Sequence, residues 1–454
     1  MDAVSSALST TFFHPEEGGH VSGFRPEHPE TVFTYGAPGL KFGVGARHEL
    51  AFDLGQLGAR RVLLVTDPGV AATGAPDELA RELESDGVEA VVYGRARVEP
   101  TDASMIEAIE FARSEGSFDA IVAIGGGSSI DTAKAVNLLV TNDGDLMDYV
   151  NAPVGRGQAP TKPLLPLVAV PTTTGTGSES TTICVLDVLD QHVKTGISHP
   201  RLRPTLAVVD PEITITQPAG VTAAAGLDIL CHALESYTAR PYASYEHKSA
   251  DERVPYCGSN PIADMWSEQA LVLMSGAFRT AVRDGKDLDA RTQVAMAATF
   301  AGLGFGNAGV HIPHANAYPI AGQVHDFRPE GYDADHAMVP HGMAVALTAP
   351  AAFGFTFEAA PERHVRAAEL LSQGSADDWA ERPDDPADYL PQVLTGFMRE
   401  VGIPSGLAEV GYGAGDIEAL VEGTMKQQRL LATAPREVTE DDVAGILDQS
   451  IELW

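Results

Sequence analysis

Two residues that can ionise stand four positions apart in the stretch AGLDILCHALESY, residues 225–237. The stretch is otherwise largely apolar and reads as a helix, in which side chains at i and i+4 share one face about 6 Å apart at Cβ. Asp228 and His232 would therefore present a carboxylate and an imidazole together. A carboxylate in the first turn of a helix also stabilises that end of the helix, so the spacing alone leaves a structural role open.

Histidines that could complete a metal site occur later, in GVHIPHANAYP and VPHGMAVAL. One carboxylate and three imidazoles form the candidate ligand set: Asp228, His232, His314 and His341. Such a set suits a borderline divalent ion, Fe²⁺ or Zn²⁺. The spacing does not establish that the four side chains converge.

The cysteines indicate a reducing environment. Cys184, Cys231 and Cys257 lie far apart with no CxxC pair, which favours free thiols over a disulfide framework or a thiolate zinc site. The first twenty residues have neither the basic region of an export signal nor the Arg-rich composition of a transit peptide. We therefore expect a cytoplasmic protein.

Two loops rich in glycine and hydroxyl groups, GGGSSID (125–131) and PTTTGTGSES (171–180), each follow an apolar strand. Glycines let backbone N–H groups approach an anion, and a helix N-terminus favours negative charge. Either loop alone could be a polar turn. Two of them at the carboxyl ends of parallel strands predict a nucleotide site, because ligands of open α/β sheets bind there.

Asp67 ends an earlier strand, in RRVLLVTDPG. A carboxylate at this position can accept a hydrogen bond from an adenosine ribose hydroxyl, which favours NAD, because a 2′-phosphate would meet like charge. A turn or a helix cap in TDPG is an equally good interpretation of the position alone.

The order of the predicted elements divides the chain into three parts. Residues 1–30 read as a loosely held polar arm, and in residues 31–215 apolar strands alternate with helical patterns. Strands that are apolar throughout and separated by helices predict a parallel sheet covered on both faces. From residue 216 to 454 helical periodicity dominates. Capping signatures place helix starts after Thr101 and Thr439.

The composition excludes two classes of partner. The chain has 63 acidic and 30 basic residues, a formal net charge of −33, spread along its length. Nucleic acids and anionic membranes attract the opposite sign, so we expect neither as a partner. Lysine is scarce, and an evenly acidic surface repels itself unless salt screens it, which predicts a protein adapted to a salt-rich, halophilic cytoplasm.

Five stretches occur in the order found in the iron-containing alcohol dehydrogenases: GGGSSID, PTTTGTGSES, GLDILCHALESY, GFGNAGVHIPHANAYPI and VPHGMAVAL. The chain resembles this family from about residue 31 onward. Further stretches, including ARVEPTDAS, CHALESYTARPY and YCGSNPIADMW, resemble its hydroxyacid–oxoacid transhydrogenase branch. The resemblance implies a Rossmann-like α/β domain that binds dinucleotide, an all-helical domain that holds the metal, and catalysis in the cleft between them, in a protein that tends to form a homodimer.

Carried over residue by residue, the resemblance makes Asp228, His232, His314 and His341 the metal ligands. The implied cofactor residues are Asp67, Gly125, Gly126, Gly127, Ser128, Asp131, Thr172, Thr173 and Lys194. One position departs from the pattern. Many alcohol dehydrogenases of the family carry a second histidine, implicated in proton relay, where this chain has Tyr318, so we expect His314 and Tyr318 to share the catalytic role.

The activity implied is hydride transfer from a hydroxyacid such as 4-hydroxybutyrate, through bound NAD, to an oxoacid such as 2-oxoglutarate. The nearest alternative is an NAD-dependent alcohol dehydrogenase that acts on small alcohols and releases its cofactor. A dehydroquinate-synthase-like cyclase would need clustered bases for a phosphate, and a metal-binding protein without turnover would leave the two loops unexplained. For the acid groups of the substrates, the candidate cations are Arg240, Lys248, Arg253 and Arg328.

Overall fold

The computed structural model describes residues 24–191, 193–332, 336–373 and 375–454. The first 23 residues of the predicted arm lie outside these ranges. Residues that follow them are tied to a loop of the helical half, because the Glu30 N–H donates to the Tyr245 carbonyl at 2.8 Å and the Glu27 N–H to the Glu246 carboxylate at 2.7 Å. Residues 27–30 are therefore hydrogen-bonded to the helical half, and the extent of the arm stays a prediction.

In the described residues of the N-terminal half, six strands form one parallel sheet: β1 Gly39–Phe42, β2 Arg61–Val65, β3 Glu89–Tyr93, β4 Ala120–Gly125, β5 Leu167–Pro171 and β8 Leu206–Val209. Their order across the sheet is β1-β8-β5-β4-β2-β3. The loops 125–131 and 171–180 leave the carboxyl ends of the neighbouring strands β4 and β5.

The sheet is covered on both faces, which explains why its inner strands are apolar throughout. In β2, Leu63 and Val65 pack into one buried cluster, and Val62 and Leu64 into the cluster on the opposite face. Alternate side chains of a strand point to opposite faces, so both sets must be apolar when helices cover both. The helices of this half are α1 Leu50–Gln56, α2 Pro68–Ala71, α3 Ala75–Ser85, α4 Asp102–Glu115, α5 Gly127–Thr141 and α6 Leu146–Tyr149.

An antiparallel hairpin was not predicted. Strands β6 (Ile183–Val188) and β7 (Val193–Ser198) pair with each other rather than with the main sheet. The hairpin follows the second glycine-rich loop directly and places Lys194 opposite Asp187.

The C-terminal half is helical in its described residues, as predicted. Its helices are α7 Ala219–Thr238, α8 Pro261–Arg283, α9 Leu288–Ala308, α10 Ile312–Gly322, α11 His341–Ala346, α12 Ala349–Thr356, α13 Pro361–Leu371, α14 Tyr389–Glu400, α15 Ile417–Met425, α16 Gln428–Leu431 and α17 Glu440–Gln449. Residues from most of these helices form one large buried cluster around α7.

Local signals placed several boundaries correctly. Thr101 and Thr439 each accept a hydrogen bond from the backbone three residues on and begin α4 and α17. The division at residue 215 stays a prediction; β8 ends at Val209 and α7 begins at Ala219. Across the described ranges, helices of sufficient length and apolarity for a bilayer span are absent.

Candidate metal centre and nucleotide cleft

Helices α7 and α10 bring three of the four predicted ligands together. Asp228 and His232 lie on one face of α7, and His314 lies in the first turn of α10. One ligand atom from each lies within 4.8 Å of the others, and all three residues are buried. Helix α7 is apolar apart from this face, so it packs at the centre of the helical half and carries the two side chains to a site with little water.

His341 adjoins this group. It is the first residue of α11, and its ring lies 5.3 Å from the ring of His314, measured between centroids. The next residue is Gly342, where a Cβ would lie 2.1 Å from the Ala224 carbonyl oxygen of α7. Only glycine permits this close approach, which holds His341 beside Asp228. His341 is outside the group of three whose ligand atoms all lie within 4.8 Å.

The three grouped residues fit a metal ion. Asp228 Oδ1 and His314 Nε2 lie 3.5 Å apart, and each is buried without a hydrogen-bond partner among the described residues. Leaving buried polar atoms unpaired costs about 1–3 kcal/mol each, and more for charged groups. A divalent ion would satisfy both atoms. With an imidazole–carboxylate donor set, the site suits Fe²⁺ or Zn²⁺ and not a thiolate-bound structural zinc.

Glu235 supports the group and was not predicted. Its carboxylate accepts hydrogen bonds from the backbone N–H groups of His311 at 2.8 Å and His314 at 3.2 Å, and it bonds the Nδ1 of His314. A carboxylate on one ring nitrogen orients the other nitrogen toward a metal. The signal was available in the sequence, because Glu235 follows His232 by three residues on the same helix face.

Charge and burial together set the ionisation of these groups. Burial lowers the pKa of His314, but the carboxylates of Glu235 and Asp228 outweigh burial and raise that pKa to about 9. Burial lowers the pKa of His232 to about 3, which keeps its ring neutral, as a metal ligand must be. The ring of His232 stacks on Phe305 at 3.9 Å, which fixes its plane.

Tyr318, the predicted catalytic partner of His314, lies one turn further along α10. Its ring meets that of His341 edge-on, with centroids 6.5 Å apart. Burial raises the pKa of Tyr318. A phenol within this distance of the candidate ligands can hold or pass a proton at its Oη.

The two glycine-rich loops pack closely against each other. The Thr172 N–H donates to the Gly125 carbonyl at 3.0 Å. A Cβ on Gly126 would lie 3.1 Å from Thr173 Oγ1, and a Cβ on Gly127 would lie 2.7 Å from Thr176 Oγ1. Gly126 caps α5, so the loop opens directly onto a helix N-terminus. Small residues are therefore required where the two loops meet.

The second loop also touches the metal-bearing helix. A Cβ on Gly175 would lie 2.8 Å from the Cβ of Ala225, one turn before Asp228. The hydroxyls of Thr172 and Thr174 are buried and unpaired among the described residues. Unpaired hydroxyls in a glycine-rich loop beside a helix N-terminus fit the phosphates and ribose of a dinucleotide. The second loop therefore lies within one helical turn of the residues that form the metal group.

Asp131 points into the protein interior rather than at the loop surface. Its carboxylate accepts from the Ser178 hydroxyl and from the Val185 N–H at 2.9 Å. Lys134, which is fully buried, donates to Ser178, Thr181 and the Ile183 carbonyl at 2.7–3.0 Å. These contacts join the first loop to the second. Direct contact between Asp131 and the cofactor stays a prediction.

Asp67 caps helix α2. One carboxylate oxygen accepts from the Val70 N–H at 3.0 Å, and the other accepts from the Ser129 hydroxyl at 2.9 Å. Of the two interpretations of this residue, the helix cap is the one that the structure displays. The contact with Ser129 places Asp67 beside the first glycine-rich loop, and its contact with a ribose stays a prediction.

Lys194 is a buried cation held by two carboxylates. Its Nζ bonds Glu99 and lies 3.3 Å from Asp187. Glu99 has a φ of 54°, the one positive value among the described non-glycine residues, and strained backbone of this kind clusters at functional sites. The Glu99 N–H donates to the Ser128 hydroxyl at 3.2 Å. Lys194 therefore adjoins the first loop through Glu99, and its contact with a nucleotide stays a prediction.

Two of the cations predicted for substrate acids have other partners. Arg253 donates to Glu30 at 3.2 Å. The guanidinium of Arg240 lies over the rings of Phe24 and Tyr245, at 3.5 and 4.1 Å. Both arginines hold the N-terminal segment against the helical half, so they are not free to bind a substrate carboxylate.

Family models match both halves of the chain. The model described as iron-containing alcohol dehydrogenase matches residues 38–211, and the C-terminal model of the same family matches residues 222–451. The chain belongs to the iron-containing alcohol dehydrogenase family. It is an oxidoreductase with the fold expected for that family, a parallel-sheet half followed by a helical half.

Individual members of the family match almost the whole chain. A hydroxyacid–oxoacid transhydrogenase from Bos taurus is 43% identical over 97% of this chain and 95% of its own length. The solved structure of a 1,3-propanediol oxidoreductase is 31% identical, with a TM-score of 0.79 over 92% of this chain and 100% of its own. A sulfoacetaldehyde reductase from Bifidobacterium kashiwanohense, solved with NAD⁺, is 25% identical, with a TM-score of 0.74 over 92% and 98%.

One expectation is contradicted. The bovine relative is named as a mitochondrial protein, so the prediction of a cytoplasmic location is wrong. The prediction failed because free thiols indicate a reducing compartment without saying which one. The N-terminal residues on which it also depended, 1–23, lie outside the described ranges.

Proposed function

We propose that this protein is a metal-dependent hydroxyacid–oxoacid transhydrogenase. The observation that carries the proposal is the buried group of Asp228, His232 and His314, in which the unpaired Asp228 Oδ1 and His314 Nε2 face each other. The identity of 43% to a transhydrogenase over 97% of the chain supports the choice of reaction.

The reaction balances without a net change in cofactor. The hydroxyacid loses a hydride and a proton to become an aldehyde acid or oxoacid, and the second substrate, an oxoacid, gains a hydride and a proton. When bound, a divalent ion supplies Lewis-acid polarisation of the substrate oxygen, and NAD supplies the site that accepts and returns the hydride. The candidate pair is 4-hydroxybutyrate and 2-oxoglutarate.

The chain's own residues bind and orient the reactants. Asp228, His232, His314 and His341 would hold the ion, and Glu235 keeps the His314 ring turned toward it. His314 takes part in catalysis through this role. Tyr318 would hold the proton of the substrate hydroxyl at its Oη.

The nucleotide would lie on the two glycine-rich loops. Gly125, Gly126, Gly127 and Ser128 would receive the pyrophosphate at the start of α5, with Thr172 and Thr173 on the opposite wall. Asp67 and its negative charge favour NAD over its 2′-phosphorylated form. Lys194 would approach the nucleotide from the hairpin, with Asp131 fixing the loop behind it.

Three finer properties belong to the same proposal. Iron would be the working ion, with zinc as the alternative that the same ligands accept. The net charge of −33 supports adaptation to concentrated salt and argues against nucleic-acid or membrane partners. A homodimer is supported by the edge strand β1 and by Phe52, 66% exposed nearby; light scattering that gives a monomer mass would exclude the dimer.

A cofactor-free assay tests the reaction. Purified protein loaded with Fe²⁺ receives 4-hydroxybutyrate and 2-oxoglutarate without added NAD, and 2-hydroxyglutarate is followed by mass spectrometry. We expect product at many turnovers per enzyme, because the cofactor stays bound. Product that forms only when NAD is supplied and consumed would refute transhydrogenation.

The second candidate is an NAD-dependent alcohol dehydrogenase that acts on small alcohols and aldehydes. The structural likeness to a 1,3-propanediol oxidoreductase, with 31% identity, favours it specifically. Steady release of NADH with a neutral alcohol, together with failure to use hydroxyacids, would identify this activity.

A further inference from the structure

Arg429 differs from the other cation near the cleft. Lys194 is balanced by the carboxylates of Glu99 and Asp187. Arg429, in α16, is half-buried, and within the described part of the chain it forms no salt bridge. A cation that has a tyrosine rather than a carboxylate as its partner is unexpected in a chain with 63 acidic and 30 basic residues.

The position of Arg429 is set by packing beside helix α10, which carries His314 and Tyr318. Its Cζ lies 5.1 Å from the centre of the Tyr256 ring. Tyr256 packs against a buried cluster that contains Tyr318, and Leu430 and Leu431, the next residues in the chain, belong to this cluster. The guanidinium is thus held against the layer of side chains that includes the predicted proton-handling tyrosine.

Two contacts connect this layer to the cleft. The ring of Tyr318 meets that of His341 edge-on at 6.5 Å, and His341 adjoins the metal group. On the other side, Gln427 donates to the Lys194 carbonyl at 3.5 Å, so the segment before Arg429 touches the hairpin of the nucleotide half. The charge of Arg429 also acts on Tyr318, where it opposes the rise in pKa caused by burial.

A half-buried guanidinium gains most from an anion that binds it through two parallel hydrogen bonds. We propose that Arg429 binds the substrate carboxylate, so that it is the residue that selects hydroxyacids and oxoacids over neutral alcohols. This inference rests on the proposed function, whose substrates both carry the required anion.

The two substrates share a spacing that one fixed arginine can serve. In 4-hydroxybutyrate, two methylene groups separate the carbon that bears the hydroxyl from the carboxylate carbon. In 2-oxoglutarate, two methylene groups separate the keto carbon from the distal carboxylate carbon. Arg429 would bind this equivalent carboxylate in both half-reactions, which places either reacting carbon at the same point relative to the metal.

Substitution tests the assignment with acid and neutral substrates in parallel. R429M and R429K are compared with wild type for oxidation of 4-hydroxybutyrate and of butan-1-ol, which has a methyl group in place of the carboxylate. A neutral aldehyde accepts the hydride in both assays, so that only the donor differs in charge. We expect R429M to lower kcat/KM for 4-hydroxybutyrate about 100-fold, mainly through KM, because a charge-assisted pair is lost. For butan-1-ol it should change less than about threefold, and R429K should restore part of the acid activity.

A matched control and a binding measurement distinguish the loss of carboxylate binding from a general disturbance of the fold. Arg436 also lies over an aromatic ring, Phe355 at 4.3 Å, but it has Glu358 within 3.9 Å, so R436M should leave the acid preference unchanged. Calorimetric titration with glutarate, an unreactive dicarboxylate, should show binding to wild type that R429K weakens. This readout needs no turnover, and R429K supplies it even where R429M fails to fold.

Each result either supports or overturns the role proposed for Arg429. R429M with an unchanged KM for 4-hydroxybutyrate, or with equal losses on acid and alcohol, would overturn the role of Arg429 while leaving the transhydrogenase intact. Wild-type protein that oxidises butan-1-ol but not 4-hydroxybutyrate would instead refute the proposed function, and the inference with it. Loss confined to acid substrates and to glutarate binding supports the assignment.

Discussion

Each half of the molecule buries a charged cluster, and the two clusters differ in how completely they are satisfied. In the α/β half, Asp131 and Lys134 share hydrogen bonds with Ser178 and with backbone groups. In the helical half, Asp228 and His314 leave an oxygen and a nitrogen 3.5 Å apart without partners among the described residues. A satisfied cluster holds the fold together, whereas an unsatisfied one is completed by a ligand. The difference indicates which charges serve stability and which serve chemistry.

Substitution of a residue in the metal group should have the largest effect. This effect should be on turnover rather than on stability. Replacing Asp228 by Asn should lower turnover about 10³-fold or more, because a charged ligand of the Lewis acid is lost. The stability of the metal-free protein should change little, because the His314 ring keeps the Glu235 carboxylate when the Asp228 charge is removed. Kinetics and urea unfolding of the chelated variant check both statements. Marked destabilisation without loss of turnover would reverse the assignment.

Substitution in the hydrogen-bonded cluster of the α/β half should instead lower the stability of the protein. K134M removes a fully buried ammonium that donates to Ser178, Thr181 and the Ile183 carbonyl. Loss of one partner from a buried charge network costs about 3–5 kcal/mol, which urea unfolding would measure. The control is K162M, since Lys162 forms an exposed pair with Asp143 that should be worth less than about 1 kcal/mol. Equal losses of unfolding free energy in K134M and K162M would show that the buried hydrogen bonds of Lys134 add no more stability than an exposed ion pair.

Glu235 combines features of both clusters, because it lies in the helical cluster but its carboxylate has hydrogen-bond partners. E235Q keeps the size of the side chain but weakens its hold on the Nδ1 of His314. Outer carboxylates of this kind contribute about 10–100-fold to metal affinity. Competition with a chelator should reveal a loss in that range, with folding retained by circular dichroism. Unchanged metal affinity would show that Glu235 serves the fold only.

The smallest expected effect is that of salt on stability, which acts through the charged surface rather than through either buried cluster. With a net charge of −33, repulsion between exposed carboxylates should weaken as the Debye length falls from about 10 Å at 0.1 M salt to about 3 Å at 1 M. We expect the free energy of unfolding to rise by about 1–2 kcal/mol between these KCl concentrations. Stability that does not respond to KCl would remove the argument for adaptation to salt.

Periodicity and composition predicted the parts of the fold that depend on local rules. The i, i+4 pair of Asp228 and His232, the glycine-rich turns after β4 and β5, and the parallel sheet all follow from which residues share a helix face or end a strand. His314 joins that pair from another helix, and its place there came from the family resemblance rather than from spacing.

Tertiary partners could not be predicted, because no local pattern encodes them. Lys134 reads in the sequence as one residue of the helix that follows GGGSSID, yet it ties that helix to the second loop. Arg429 comes from a four-residue helix far along the chain and reaches the layer around Tyr318 only through packing. Glu235 is the exception, since extending the helix face by three residues would have found it.

Anomalous diffraction from crystals of the iron-loaded protein would locate the bound metal. We predict one peak at the iron edge, about 2.0–2.2 Å from ligand atoms of Asp228, His232 and His314, with His341 drawn in as the fourth ligand. A fully loaded protein with no peak at this group, or with its iron bound elsewhere, would contradict the account.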